Sequence, residues 1–243
     1  MALLFASDLH LAAERPAQID AFERLLAAAR GSDGLYLLGD LFEIWLGDDD
    51  DTEPHDRIID ALARLTASGT PVAVQHGNRD FLLGARFARL TGAKLLPEYH
   101  REEFYGVPTL LMHGDLLCTR DVAYQEFRRT VRDARFCQRF LGQPLEARRA
   151  YANEVRAGTL SATKTKDEAI MDVDEDTVDQ VMAQHRVMRL IHGHTHRPKI
   201  HEIFGGGRFY ERIVLGDWYD RGQIAIVDSG GARLVAASEL RQV

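Results

Sequence analysis

The sequence predicts an α/β fold of two packed mixed β-sheets flanked by helices, with a helical insertion that forms a lid. Three observations point there. Short apolar runs alternate with helical patterns through the first half, a strand-rich tail closes the chain, and a long helical stretch, roughly 121–185, lies between them. The 243 residues suit one domain, 1–243, with the lid inserted at about 121–165.

The elements follow in order. Leu3 to Ser7 reads as a strand. Pro16 suits a first helical turn, and Ile19, Phe22, Leu25, Leu26 and Ala29 give that helix one apolar face, stopped by Gly31. Leu35 to Leu38 is a second strand, and Ile58, Ile59, Leu62 and Leu65 mark a second helix. Pro71 to Gln75 reads as a strand, Phe81 to Thr91 as a helix and Thr109 to Met112 as a fourth strand. After the helical stretch comes a strand at Val187–Ile191. Further strands follow near Lys199–Phe204, Phe209–Leu215, Gln223–Val227 and Arg233–Ala236, with Gly205–Gly207 as a hairpin connection.

Composition narrows the class. Hydrophobic residues make up 45% and charged residues 28%, ordinary for a globular chain able to bury a core without disulfides. The formal charge of −7 and the lack of a recognition motif argue against a nucleic-acid partner, and nothing in the sequence points to a protein partner. Cys118 and Cys137 have neither zinc nor redox spacing, which fits a reducing cytoplasm. No basic segment precedes the first strand, against a signal peptide. No apolar run approaches the ~20 residues of a spanning helix, so membrane contact is expected to be peripheral.

Five successive strands end in potential metal ligands: Asp8-Leu9-His10, Gly39-Asp40, Gly77-Asn78-Arg79-Asp80, His113-Gly114-Asp115 and Gly193-His194-Thr195-His196. In open α/β sheets, ligands sit outside the carboxyl ends of strands. The neighbouring glycines would let each loop turn sharply near bound ions. The period of two along a strand would point both members of Asp8/His10, and of His194/His196, to one side. Asp, neutral His and an Asn carbonyl form a mixed O/N donor set without thiolate, suited to Mn²⁺, Fe²⁺ or Zn²⁺. Seven ligands, Asp8, His10, Asp40, Asn78, His113, His194 and His196, are too many for one tetrahedral site and suit two ions that share a carboxylate and clamp a phosphoryl group. His76 and His192 fall outside the pattern and read as packing residues or supports of the ligands, like His201.

In this order the motifs resemble the calcineurin-like metallophosphoesterase superfamily. Longer strings, among them Leu38-Gly39-Asp40-Leu41-Phe42-Glu43, Gly47-Asp48-Asp49-Asp50, Gly77-Asn78-Arg79-Asp80-Phe81-Leu82-Leu83-Gly84 and Ala169-Ile170-Met171-Asp172-Val173, resemble the UDP-2,3-diacylglucosamine diphosphatase family of bacterial lipid A synthesis. That resemblance runs from residue 3 to about 217. It implies two Mn²⁺ ions, one on Asp8, His10, Asp40 and His196, the other on Asp40, Asn78, His113 and His194, with Asp40 bridging. It implies hydrolysis of UDP-2,3-diacylglucosamine to UMP and 2,3-diacylglucosamine 1-phosphate at the cytoplasmic face of the inner membrane. The matching substrate contacts are Asn78, Arg79, Asp121, Lys166 and His194. Two more fall on Thr159 and Thr163, where relatives carry Ser and Asn.

Arg79 stands where many phosphoesterases carry a His that can protonate a leaving alkoxide. A leaving phosphate monoester, with a second pKa of about 6, needs no such donor. A fixed cation would serve it better, unless Arg79 merely pairs with Asp80. Between 120 and 156 lie Arg128, Arg129, Arg132, Arg135, Arg139, Arg148 and Arg149, with Phe127, Phe136, Phe140 and Leu141 among them. This reads as a basic amphipathic surface for an anionic membrane or as a lid receiving acyl chains. The plainer reading is a solvated face whose Arg stems cover core. A general phosphodiesterase for soluble nucleotides would share every metal ligand, and a non-enzymatic scaffold would need none of them.

Overall fold

A computed structural model describes residues 1–163, 172–205, 208–219 and 222–240. The first sheet takes its parallel strands from the first half of the chain: β1 (Leu3–Ala6), β2 (Gly34–Leu38), β3 (Val72–Gln75) and the short β4 (Lys94–Leu95). Helices α1 (Pro16–Ala28), α2 (His55–Ala67) and α3 (Ala85–Thr91) connect them. Two antiparallel tail strands, β10 (Gln223–Asp228) and β11 (Gly231–Ala236), extend the sheet beyond β1, giving the order β11-β10-β1-β2-β3-β4.

The second sheet is built around three parallel strands, β6 (Val107–Leu111), β7 (Arg189–His192) and β9 (Arg208–Val214). Its antiparallel edges are β5 (His100–Phe104) and β8 (Lys199–Gly205), so that the order is β5-β6-β7-β9-β8. Gly205 pairs with Arg208 across the expected glycine hairpin. The sequence reading did not include β4 and β5. Three consecutive residues of β5, Arg101-Glu102-Glu103, are exposed, as suits a charged edge strand, so it carries no apolar alternation. Tyr105 and Gly106, both at positive φ, turn it into β6.

Alternation along the strands builds three apolar layers. Leu4, Ala6, Leu35, Leu37 and Val74 face α1–α3 and meet Phe22, Leu25, Ile58, Leu62 and Phe87. Phe5, Leu38, Leu111, Ile191, Ile213 and Ala225 fill the space between the sheets. Leu110, Met112 and Leu190 face α7 (Glu175–His185) through Val178, Val181 and Met182.

The expected helical stretch is divided. Asp121 caps α4 (Val122–Val131), Asp133 caps α5 (Ala134–Leu141) and Asp174 caps α7, each accepting backbone N–H groups of the first turn. Gly142 and Pro144 separate α5 from α6 (Leu145–Thr163). The helix expected over Phe81–Thr91 begins only at Ala85. Asp48 accepts from the N–H groups of Gly84, Arg86 and Phe87, capping α3 from a distant loop.

Candidate metal centre

The ligand loops leave their strands in left-handed backbone. Asp8 (φ 54°), His10 (48°), Asp40 (54°), His194 (69°) and His196 (55°) supply five of the seven non-glycine residues at positive φ among the described residues. Such conformations are costly away from glycine and gather where surrounding structure enforces them. This corrects the strand-period argument: β1 ends at Ala6 and β7 at His192, so each pair is aimed by the strained loop and not by pleating. The glycines also divide. Gly39 and Gly114 take positive φ, whereas Gly77 and Gly193 are needed for close approach. A Cβ on Gly77 would overlap the Asp40 carboxylate, and one on Gly193 would overlap Ser7 Oγ and Asp8.

All seven expected ligands converge. Asp40 Oδ2 lies 3.8 Å from His10 Nε2 and 3.8 Å from His113 Nε2, between the two. His196 Nε2 is 3.3 Å from Asp8 Oδ1. Asn78 Oδ1 lies 3.0 Å from His113 Nε2 and 3.0 Å from His194 Nδ1. Asp8, His10 and His196 form one cluster able to hold a cation, and Asp8, Asp40 and His113 another, with donor atoms in each within 4.8 Å of one another. The first sheet supplies Asp8, His10, Asp40 and Asn78, and the second supplies His113, His194 and His196.

The electrostatics fit divalent cations. Burial alone would raise the Asp8 carboxyl, but contact with His196 and the charges of His113, His196 and His10 hold it well below the usual range. Asp40 is pushed up to about 7, first by burial and, against the pull of His113, by Asp80 and Asp8. Two buried carboxylates facing each other therefore call for positive charge between them. Burial pushes His10 down to about 3 and His194, beside His113, to about 4, which keeps both neutral and ready to coordinate. Both ring nitrogens of His10 are buried without a hydrogen-bond partner among the described residues. The donor set thus fits two borderline-hard divalent ions.

Residues outside the expected set fix this geometry. Asp80 accepts from the N–H groups of Asp40, Leu41, Phe42 and Gly77, tying the second and third ligand loops together. It is therefore not the partner of Arg79, whose Nη1 lies 4.0 Å from Glu43. Asp8 Oδ2 accepts from Ser7 Oγ at 2.5 Å and from the His194 N–H at 2.9 Å. His113 Nδ1 meets the Leu38 carbonyl at 2.9 Å, and His196 Nδ1 lies 3.4 Å from Asp217. Such partners orient ligating imidazoles. His192, read as a packing residue or support, is buried at the end of β7 with Nδ1 2.9 Å from the Gly193 carbonyl. His76 Nε2 meets the Leu83 carbonyl at 2.8 Å, and His201 stands half-buried on β8. Asp80 and Glu43 lay within the quoted strings, yet position alone could not distinguish their roles.

A cavity partly open to solvent runs from Asn78, at the edge of the metal centre, under the lid helices. Asn78, Arg79 and Arg156 stand at its polar end, and Leu82, Phe127, Val131, Phe136, Phe140 and Tyr151 line the rest. Tyr124 of α4 stands 5.8 Å from the His194 ring. Asp121 accepts from the Tyr124 N–H as the α4 cap. Lys166 and the side chains of Thr159 and Thr163 lie outside the described residues.

The lid is less freely basic than its composition suggests. Arg128 pairs with Asp115 and Glu98, Arg132 with Glu98, Arg148 with Asp49 and Arg149 with Asp50. Arg129, Arg135 and Arg139 are exposed, as are Val122, Phe127 and Leu141. No helix among the described residues is long and apolar enough to cross a membrane.

Residues 1–198 match the model of the family described as calcineurin-like phosphoesterase. A UDP-2,3-diacylglucosamine hydrolase of Stenotrophomonas maltophilia is 48% identical over 239 residues, 95% of this chain and 96% of that one. Proteins of the same name from Xanthomonas campestris and Salmonella arizonae are each 47% identical, covering 96% and 97% of this chain and 98% and 99% of theirs. Among solved structures, a phosphoesterase from E. coli superposes with a TM-score of 0.51 at 16% identity, covering 100% of this chain and 97% of that one, which is a likeness of fold alone. The chain belongs to the calcineurin-like phosphoesterase family and, within it, to the UDP-2,3-diacylglucosamine hydrolases.

Proposed function

We propose that this chain hydrolyses the pyrophosphate bond of UDP-2,3-diacylglucosamine, giving UMP and 2,3-diacylglucosamine 1-phosphate for lipid A synthesis. The cofactors are two Mn²⁺ ions. Asp8, His10, Asp40 and His196 hold one, and Asp40, Asn78, His113 and His194 hold the other. The whole chain is one domain, in which α4–α6 form the lid. The carrying observation is that an apolar cavity begins at Asn78 and Arg79 and runs beneath Phe127, Phe136 and Phe140. A soluble nucleotide has no group to fill it, whereas two acyl chains do.

When bound, the ions supply Lewis acidity and a water that ionises near neutral pH. The protein does the rest by positioning. Asn78 presents its carbonyl to His113 and His194. Arg79 faces the charge that builds on the non-bridging phosphoryl oxygens, its planar fork matching two of them. Water oxygen bonds to the uridine-side phosphorus. The bond to the bridging oxygen breaks, its electron pair leaves with the sugar 1-phosphate, and the water proton passes to solvent. Asp121, Thr159, Thr163, Lys166 and His194 complete the substrate contacts. The exposure of Arg129, Arg135 and Arg139, and of Val122, Phe127 and Leu141, supports docking on an anionic membrane surface, which for this substrate would be the cytoplasmic face of the inner membrane.

The test compares UDP-2,3-diacylglucosamine with UDP-N-acetylglucosamine and a cyclic nucleotide in the Mn²⁺-loaded enzyme. At ~0.8 kcal/mol per buried methylene, the acylated substrate should lead in kcat/KM by on the order of 100-fold or more. Equal rates on all three would establish a general nucleotide phosphodiesterase instead. Hydrolysis in ¹⁸O-water should place the label in UMP.

A further inference from the structure

Glu43 lies three residues beyond Asp40, and its side chain is only 6% exposed. Four groups from three segments converge on it, and its two oxygens divide them. Oε2 is 2.9 Å from Arg15 Nη1 and 3.6 Å from His10 Nδ1. Oε1 is 2.9 Å from Arg156 Nη2 and 4.0 Å from Arg79 Nη1. One oxygen thus faces the metal centre and the other the cavity. Arg15 also donates to the His10 carbonyl at 3.3 Å and lies over Tyr219, whose ring stacks on His10 at 5.4 Å. His10 is gripped on several sides, and only its Nε2 is turned toward Asp40.

We propose that Glu43 is a positioning residue that couples the metal centre to the arginines meeting the pyrophosphate. With Oε2 3.6 Å from His10 Nδ1, it sets a negative charge beside that nitrogen, which favours the tautomer with the proton on Nδ1 and the Nε2 lone pair free for the ion. Through Oε1 it holds Arg79 and Arg156 together at the polar end of the cavity, where two like charges alone would separate. One carboxylate against three guanidiniums leaves an excess of positive charge, which suits a pyrophosphate. Arg156 belongs to α6, so the same carboxylate also registers the lid over the ions. The inference rests on the two-metal reading above.

The test uses the full chain and its Glu43→Gln and Glu43→Asp variants. Mn²⁺ is titrated into chelator-treated protein by calorimetry, and kcat and KM are measured on UDP-2,3-diacylglucosamine. Both variants should bind one Mn²⁺ equivalent about 10–100-fold more weakly. At saturating Mn²⁺, kcat should stay on the order of 10-fold below the parent, because Arg79 and Arg156 remain unheld. Arg156→Gln should cost less in the Glu43→Gln background than in the parent. If Glu43→Gln does not fold, Glu43→Asp decides, since it keeps the charge but falls about one bond, ~1.5 Å, short of His10. Unchanged Mn²⁺ affinity and kcat in folded variants, even with a lowered Tm, would overturn the inference. A parent that binds no Mn²⁺ or leaves the substrate intact would instead overturn the function on which it rests.

Discussion

Arg79 is the residue on which the choice of reaction turns. With Asp80 engaged by four backbone N–H groups, Arg79 is left to face Glu43 and the cavity. Arg79→His should lower kcat on the pyrophosphate substrate by roughly 100-fold, the scale of one lost transition-state donor. It should lower kcat much less on an aryl phosphodiester, and equal losses would return Arg79 to a structural role. His192 gives a prediction in pH. Its Nδ1 faces the Gly193 carbonyl and its Nε2 lies 3.5 Å from Arg212 Nη1, so the neutral Nδ1–H form satisfies both contacts. Burial and, behind it, the Arg212 charge push the imidazole down to about 3 from 6.5. The unfolded chain therefore binds the proton first as pH falls. Stability should drop by about 1.4 kcal/mol per pH unit from 6.5 toward the folded value. Unfolding free energies from urea titrations at pH 7 and pH 5 should differ less in His192→Gln than in the parent, by about 2 kcal/mol. The seven candidate ligands, which the fold brings together, could be read from strand-end motifs. Glu43 and Asp217 could not, because nothing in a single carboxylate shows which imidazole it will face once the chain has folded.

At the scale of elements, the lid shows how composition misleads. Its arginines outnumber the acids within the insertion, which suggests a free basic face. The acids that answer them, Glu98, Asp115, Asp49 and Asp50, stand on other segments and meet them only in the fold. Asp115 is the anchor: buried, it accepts from Arg128 Nε at 2.6 Å and from Tyr124 OH at 2.9 Å. Asp115→Ala would leave Arg128 buried with only the partly exposed Glu98 as a partner. It should destabilise the fold by about 3 kcal/mol, read by urea unfolding, and speed hydrogen exchange along α4 before the sheets. Helices with a clean apolar face, α1 and α2, and strands with buried alternation were visible in advance. The edge strand β5 was hidden by its charges, and the late start of α3 by a cap from Asp48, 36 residues away in sequence.

For the whole molecule, the ions should act as part of the fold. Ligands that bind only the native state stabilise by about 4 kcal/mol at a thousandfold excess over Kd. Chelation should therefore lower Tm by several degrees, and Mn²⁺ should restore it. An unchanged Tm, with metal loss verified by elemental analysis, would contradict that. The two-layer architecture was legible from the order of strands and helices. The pairing of β10 with β1, which carries the tail back to the first sheet, was not, because antiparallel partners so far apart in sequence leave no local signature.

The division of donors between the sheets has one more consequence. Because Asp8, His10, Asp40 and Asn78 ride on one layer and His113, His194 and His196 on the other, each of the two proposed cations would be a rivet through the sandwich. Any slip of one layer over the other would move His196 against the other three ligands of one ion, and His113 and His194 against the other two of the second. Bulk added deep between the layers, as in Ala225→Leu, touches no ligand yet should loosen Mn²⁺ binding, so the enzyme's sensitivity to metal becomes a gauge of how truly its layers are seated.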